Sequence, residues 1–204
     1  FFRRYRAAWW NDNWWDYWSY MYYLYEYYCE YWDLSDCNKQ PVTYDYGNSI
    51  KYIGSDIYYG NNKAGTAQSY FSEAETLANS VSPTGSTEPS EGDWKPMGTF
   101  ALTQGDQTDS HAIMNLATNK QGVLRGNYFN PLTNEVKPLQ GKVDFKDKRA
   151  AWTVGDNRKV VYDTGLANIL SDQSSLLIHF DSNQTQQWNM VRMNKVARKQ
   201  TSGN

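Results

Sequence analysis

What the sequence lacks narrows the field first. There is no excess of either charge, since 20 Lys and Arg stand against 22 Asp and Glu for a formal net charge of −2. No global field therefore draws nucleic acid or an anionic membrane surface, and a nucleic-acid partner is not expected. No run of ~18 consecutive apolar residues occurs, so no transmembrane helix is expected either. The start lacks the look of a secretory leader, because Phe1 to Arg6 lead into Trp and Tyr rather than into a Leu/Ala stretch ending in small residues. If the protein is exported, its signal is already removed from this numbering.

Chemistry-bearing residues are equally sparse. The two histidines, His111 and His179, are the only ordinary bases for a Ser or Cys nucleophile, and neither sits in a recognisable signature. His179 lies in Leu176-Leu177-Ile178-His179-Phe180, where alternation turns it away from Ile178 and Phe180 and marks it as a structural strand residue. A Gly-rich phosphate loop and Gly-x-Ser-x-Gly are both missing. A carboxylate pair can still meet through folding, but the acidic residues of the C-terminal half mostly fall in turns. The expectation is no enzyme, no catalytic residue, no cofactor and no metal. Cys29 and Cys37 stand eight apart without metal-ligand spacing. They read either as separate thiols or as a local disulfide closing a helix end onto the next turn, which needs an oxidising compartment.

What is present is aromatic. Of 33 aromatic residues, 17 fall in the first 34 positions: 2 Phe, 6 Trp and 9 Tyr. Between positions 9 and 34, Asp12, Asp16, Ser19, Glu26, Glu30 and Asp33 recur at separations of 4, 3, 7, 4 and 3. At ~100° per residue they form one stripe of an α-helix whose remaining surface is Trp, Tyr, Met and Leu. A helix apolar nearly all round needs cover. One reading lays it on its own β domain. The other, favoured by Trp and Tyr with their apolar bodies and polar tips, makes it an intermolecular interface of Trp9, Trp10, Trp14, Trp15, Trp18, Tyr22, Tyr25, Tyr28 and Trp32, through self-association or other proteins of an assembly. A membrane-interface helix would carry Lys and Arg on its polar face, whereas this face is acidic.

The texture then changes along the chain. After the aromatic segment 1–40, residues 41–64 hold a repeat in which Gly47-Asn48-Ser49-Ile50-Lys51-Tyr52 recurs as Gly54-Ser55-Asp56-Ile57-Tyr58-Tyr59, signalling turns and short strands of a ribbon. In 65–81 Thr66 caps an amphipathic helix whose Ala67, Tyr70, Phe71, Ala74, Leu77, Ala78 and Val81 follow helical spacing. Residues 82–93 read as a linker, and 194–204 as a basic tail. From 94 to 193 strands are expected at 98–103, 112–118, 122–129, 139–145, 150–154, 159–163, 176–180 and 187–193, bounded by Gly, Asn, Asp or Pro. About eight strands at this spacing, with no helical break, predict a mainly β fold: a small antiparallel meander barrel or sandwich preceded by helices.

Several motifs resemble one family. Trp94-Lys95-Pro96-Met97-Gly98-Thr99-Phe100-Ala101-Leu102, Asn119-Lys120-Gln121-Gly122-Val123-Leu124-Arg125-Gly126-Asn127-Tyr128, Lys148-Arg149-Ala150-Ala151-Trp152-Thr153-Val154-Gly155-Asp156-Asn157 and Thr185-Gln186-Gln187-Trp188 are similar to the C-terminal domain of planctomycete cell-surface proteins often labelled mu-protocadherin-like. The resemblance covers about residues 44–193. It implies an exported envelope or surface protein and, with the short cysteine spacing, a Cys29–Cys37 disulfide. It implies no cadherin fold, since Asp106, Asp109 and Asp181 do not form a cadherin-type calcium cluster.

Two functional readings stand beside surface assembly. A meander of eight strands can close around a small ligand, and Tyr128, Trp152 and Trp188 would then wall the pocket. Exposed aromatics could also stack on carbohydrate, although seventeen in one segment far exceed what a sugar site uses.

Overall fold

The computed structural model describes residues 24–34, 44–81, 94–105, 110 and 112–193. Eight antiparallel strands form a closed barrel in simple sequence order, β4 Lys95–Thr103, β5 Ala112–Thr118, β6 Val123–Asn130, β7 Glu135–Asp144, β8 Arg149–Val154, β9 Asn157–Gly165, β10 Gln173–His179 and β11 Thr185–Arg192. Each expected strand is found, and the choice between barrel and sandwich falls to the barrel. Closure comes from β11 pairing with β4, Asn189 opposite Thr103 through Arg192 opposite Phe100. Met193 N then donates to Thr99 O at 2.8 Å.

The reversals have a common chemistry. Asn119 Oδ1 accepts from the backbone N–H groups of Gln121 and Val123, and Asn130 Oδ1 from Leu132 and Thr133. Asp144 Oδ1 accepts from Lys146 and Asp147, and Asp181 Oδ1 from Asn183 and Gln184. A short side chain that satisfies the turn's own amides fixes the loop length, and with it the strand register. Pro96 sits where the β4–β5 register shifts, so a missing N–H costs no regular ladder bond.

Inward positions are apolar and mostly large: Phe100, Leu102, Met114, Leu116, Leu124, Leu139, Trp152, Leu176, Ile178 and Met190 form one buried cluster. Outside the barrel lie the segments that precede it. The ribbon β1 Ile50–Ile53, β2 Asp56–Tyr59 and β3 Asn62–Thr66 sets Tyr46, Ile50 and Ile57 on Leu177 of β10. Its third strand was not foreseen in the repeat. Helix α2, Ala67–Asn79, opens on Thr66, whose Oγ1 accepts from Ser69 N at 3.1 Å. It buries Phe71, Ala74 and Ala78 against Ala151 and Val161 of the wall. Burying a side chain such as Phe71 stabilises by about 1.5–3 kcal/mol, enough to hold a helix of this length that would be marginal alone. The linker 82–93 and tail 194–204 lie outside the described residues. Among the described residues no helix is long and apolar enough to cross a membrane.

Candidate functional site

The barrel has two different ends. At one, where β5 runs into β6 and β7 into β8, the short helix α1, Leu24–Tyr31, lies across the opening. Tyr28 Oη donates to Pro96 O, and Trp32 Nε1 donates to Asn119 O at 3.1 Å. Both side chains are buried, and the Trp32 ring packs 5.1 Å from that of Phe145. Lys95 and Lys120 approach the Tyr31 ring at 5.8 and 5.9 Å, within cation–π range. From inside, the Arg192 guanidinium donates to Met97 O and, from the short helix α3 (Leu166–Ile169), to Ile169 O, at 2.8 and 2.7 Å. Burial holds the Tyr28 phenol well above its usual range.

Two members of the interface expected from the sequence are placed against the chain's own barrel. Tyr28 and Trp32 are spent within the chain, as the seal of its own barrel, because that end offers backbone acceptors for their polar tips as well as apolar cover. Tyr25 belongs to α1, but its side chain is outside what is described, as are Trp9, Trp10, Trp14, Trp15, Trp18 and Tyr22. Cys29 is buried beside the seal, Cys37 lies outside the described residues, and no disulfide is formed among the described residues.

The opposite end, called the mouth below, has no helix lying across it among the described residues. Trp152 projects inward from β8 and is 0% exposed. Gly141 faces it across the β7–β8 ladder, where a Cβ would meet Ala151 O at 2.1 Å and Trp152 Cβ at 2.5 Å, so the close approach of the two strands needs a glycine. Tyr162 of β9 stacks on Trp152 with centroids 6.0 Å apart and planes 12° apart, and Tyr128 of β6 lies 6.5 Å from Tyr162. Burial raises both phenols. Tyr128, Val154, Val160 and Trp188 are half-buried around the opening. Trp188 stands across the lumen on β11, its Nε1 donating to Gln186 Oε1 at 3.1 Å. Lys137 forms part of the rim, its stem against Gly155 and its Nζ 3.2 Å from Glu135 Oε1.

One group at the mouth is out of balance. Trp152 Nε1 is buried and has no hydrogen-bond partner among the described residues. Buried donors are almost always paired; Tyr52 Oη and Thr153 Oγ1 share this state among the described residues, on the outer side of the wall, whereas the indole is on its inner side. Of the residues the sequence put forward, Tyr128 and Trp152 are joined through Tyr162, and Trp188 shares their apolar cluster. Tyr162 was missed, although it is directly opposite Trp152 in the β8–β9 register.

A second cluster lies in the outer wall beneath α2 and the ribbon. Arg149 grips Asp163 with both arms of its fork, Nε to Oδ1 and Nη2 to Oδ2, each at 2.7 Å. Arg149 also donates to Tyr70 O and lies 3.7 Å above the Tyr70 ring. His179 bridges Asp163 Oδ2 at 3.3 Å and Thr185 Oγ1 at 2.8 Å. Burial pushes the Asp163 carboxyl up, but the Arg149 charge and the bonds from His179 and Arg149 outweigh it and hold the group below its usual range. An Asp–His–hydroxyl row has the outline of a nucleophilic relay. Here the carboxylate is already neutralised by Arg149 and the imidazole is enclosed, so the row ties α2, β8, β9 and β10 together. His111 lies outside the described residues.

No family model, curated protein or solved structure matches the chain. Function is accordingly read from the chemistry of the site.

Proposed function

We propose that the chain is a non-enzymatic binding protein of a bacterial cell surface whose barrel mouth takes up a small, largely apolar molecule. The observation that carries the reading is the buried, unpartnered Trp152 Nε1 inside a barrel of which one end is covered by α1. A small-molecule site is typically an apolar concavity with few convergent polar groups, and Tyr128, Val154, Val160 and Trp188 supply the apolar half-exposed wall. The surface location rests on the resemblance of residues 44–193 to planctomycete cell-surface proteins.

The test is equilibrium titration of the full chain with a neutral naphthalene fluorophore. One site per chain is expected, weakened at least about tenfold when Tyr128→Ala and Trp188→Ala are combined, since each removes aromatic contact worth roughly 1 kcal/mol. Absence of binding, or binding indifferent to the double replacement, overturns the reading.

Assembly through the aromatic segment stands as a second reading, carried by Trp9, Trp10, Trp14, Trp15, Trp18, Tyr22 and Tyr25. What favours it is that Tyr28 and Trp32 anchor this segment at the end away from the mouth, so association there would leave the mouth clear. Removing residues 1–23, and not 24–34, should give a folded barrel that no longer self-associates in analytical ultracentrifugation. Unchanged association would remove this role.

A further inference from the structure

We infer that the ligand of the mouth is a planar, uncharged molecule that leads with a hydrogen-bond acceptor of the ketone or amide-carbonyl type, received by Trp152 Nε1. The inference rests on the reading of the mouth as a binding site and specifies what fills it. An indole N–H is a donor only, so the complementary group must accept.

The charges of the neighbourhood say that this acceptor is neutral. Arg192 is committed at the closed end to Met97 O and Ile169 O. Arg149 is committed in the outer wall to Asp163. Lys137 remains at the rim, paired with Glu135 and half-exposed. A carboxylate driven down to Trp152 would lose its hydration with no cation among the described residues placed to replace it, which is strongly unfavourable, whereas a carbonyl needs only the one donor. Planarity follows from the walls. Tyr162 lies flat on Trp152, Tyr128 lies 6.5 Å from Tyr162 and Trp188 packs on the same cluster, an aromatic set that favours stacking or edge contacts with another flat system. The amides of Gln186 and Gln104, linked at 3.4 Å, sit near the opening and suit a polar tail left at the surface.

The experiment compares three probes on the full chain: prodan, a naphthalene bearing a ketone; the dimethylaminonaphthalene that lacks the ketone; and a naphthoate of similar size. Prodan should bind about tenfold more tightly than the ketone-free compound, the worth of one good buried hydrogen bond, and naphthoate more weakly than prodan. Trp152→Phe should reduce prodan to the affinity of the ketone-free compound while leaving that compound's own affinity unchanged. Equal affinity for prodan and the ketone-free probe, tight naphthoate binding, or a Trp152→Phe variant that retains the preference for the ketone each overturns the inference while the mouth stands. The wild-type comparison needs no variant to fold. Failure of all three probes to bind, or binding untouched by Tyr128→Ala with Trp188→Ala, instead removes the mouth itself.

Discussion

The two ends of the barrel are built from the same kind of residue and treated oppositely. At the closed end Tyr28 and Trp32 find backbone acceptors in Pro96 and Asn119, and Arg192 finds two carbonyls from within. At the mouth Trp152 is as deeply buried as Tyr28, yet its polar atom is unpaired, and Tyr128 and Trp188 of the same cluster are only partly buried. A fully satisfied aromatic cluster adds stability, whereas an unsatisfied one stores recognition, because the missing bond is made only when something else arrives. The difference between stabilising and binding aromatics thus lies in where their polar tips end.

Changes outside the mouth should therefore cost stability. Arg149→Ala leaves the Asp163 carboxylate buried without its partner and should destabilise by roughly 3–5 kcal/mol in urea unfolding. Removal of residues 1–34, compared with 1–23, should lower stability further than any single seal mutation and expose the lumen to dye from the closed end. Trp32→Ala should cost about 3 kcal/mol, through the cavity beside Phe145 and the orphaned Asn119 carbonyl. If these changes prove mild, the closed end is not a seal and the contrast fails.

Titration sharpens the comparison. The folded Tyr28 phenol is held above ~10, its unfolded value, so its contribution is complete below that pH and is lost as pH rises toward the folded value. Tyr28→Phe should therefore flatten part of the alkaline fall in stability above pH ~10. Asp163 has the opposite sign. Its contribution is present above ~3.9 and is lost as pH falls toward the lower folded value, so the stability gap between wild type and Asp163→Asn should narrow in acid.

Mouth mutations should leave stability nearly alone. Trp188→Ala, at a partly buried position, should cost less than Trp32→Ala while acting on probe binding. Smallest of all, Thr153→Val under α2 replaces a buried hydroxyl with no partner among the described residues and should be neutral or slightly stabilising, within about 0.5 kcal/mol.

Much of the barrel was legible because its turns carry their own chemistry: Asn119 and Asn130 each sit where a run of alternating residues stops, whereas Asp144, which caps its turn, was read as part of the strand 139–145. The α2 helix was legible from Thr66 and the spacing of Phe71, Ala74 and Ala78. The role of Tyr28 and Trp32 was not, since Pro96, Asn119 and Phe145 become one surface only when the barrel closes. Composition alone could say that these rings needed cover, and it left open whether the barrel or another chain supplies it. Arg149 and Asp163 were also passed over. They are diagonal neighbours on one face, because Ala151 pairs with Asp163, and that register follows from the β8–β9 hairpin rather than from residue type. The facing of His179 away from Ile178 was readable from strand alternation alone. At the mouth, Tyr128, Trp152 and Trp188 could be named from their strands, but the unpaired state of Trp152 Nε1 depends on every neighbour at once.

The most direct test of the contrast is a nitrogen–proton NMR spectrum of the tryptophan indoles, assigned by single Trp→Phe variants, recorded as prodan is added. The Trp152 indole signal should move strongly downfield in its proton dimension, with Trp188 also perturbed and Trp32 unchanged at the sealed end. A silent Trp152 alongside a shifting Trp32 would contradict the account.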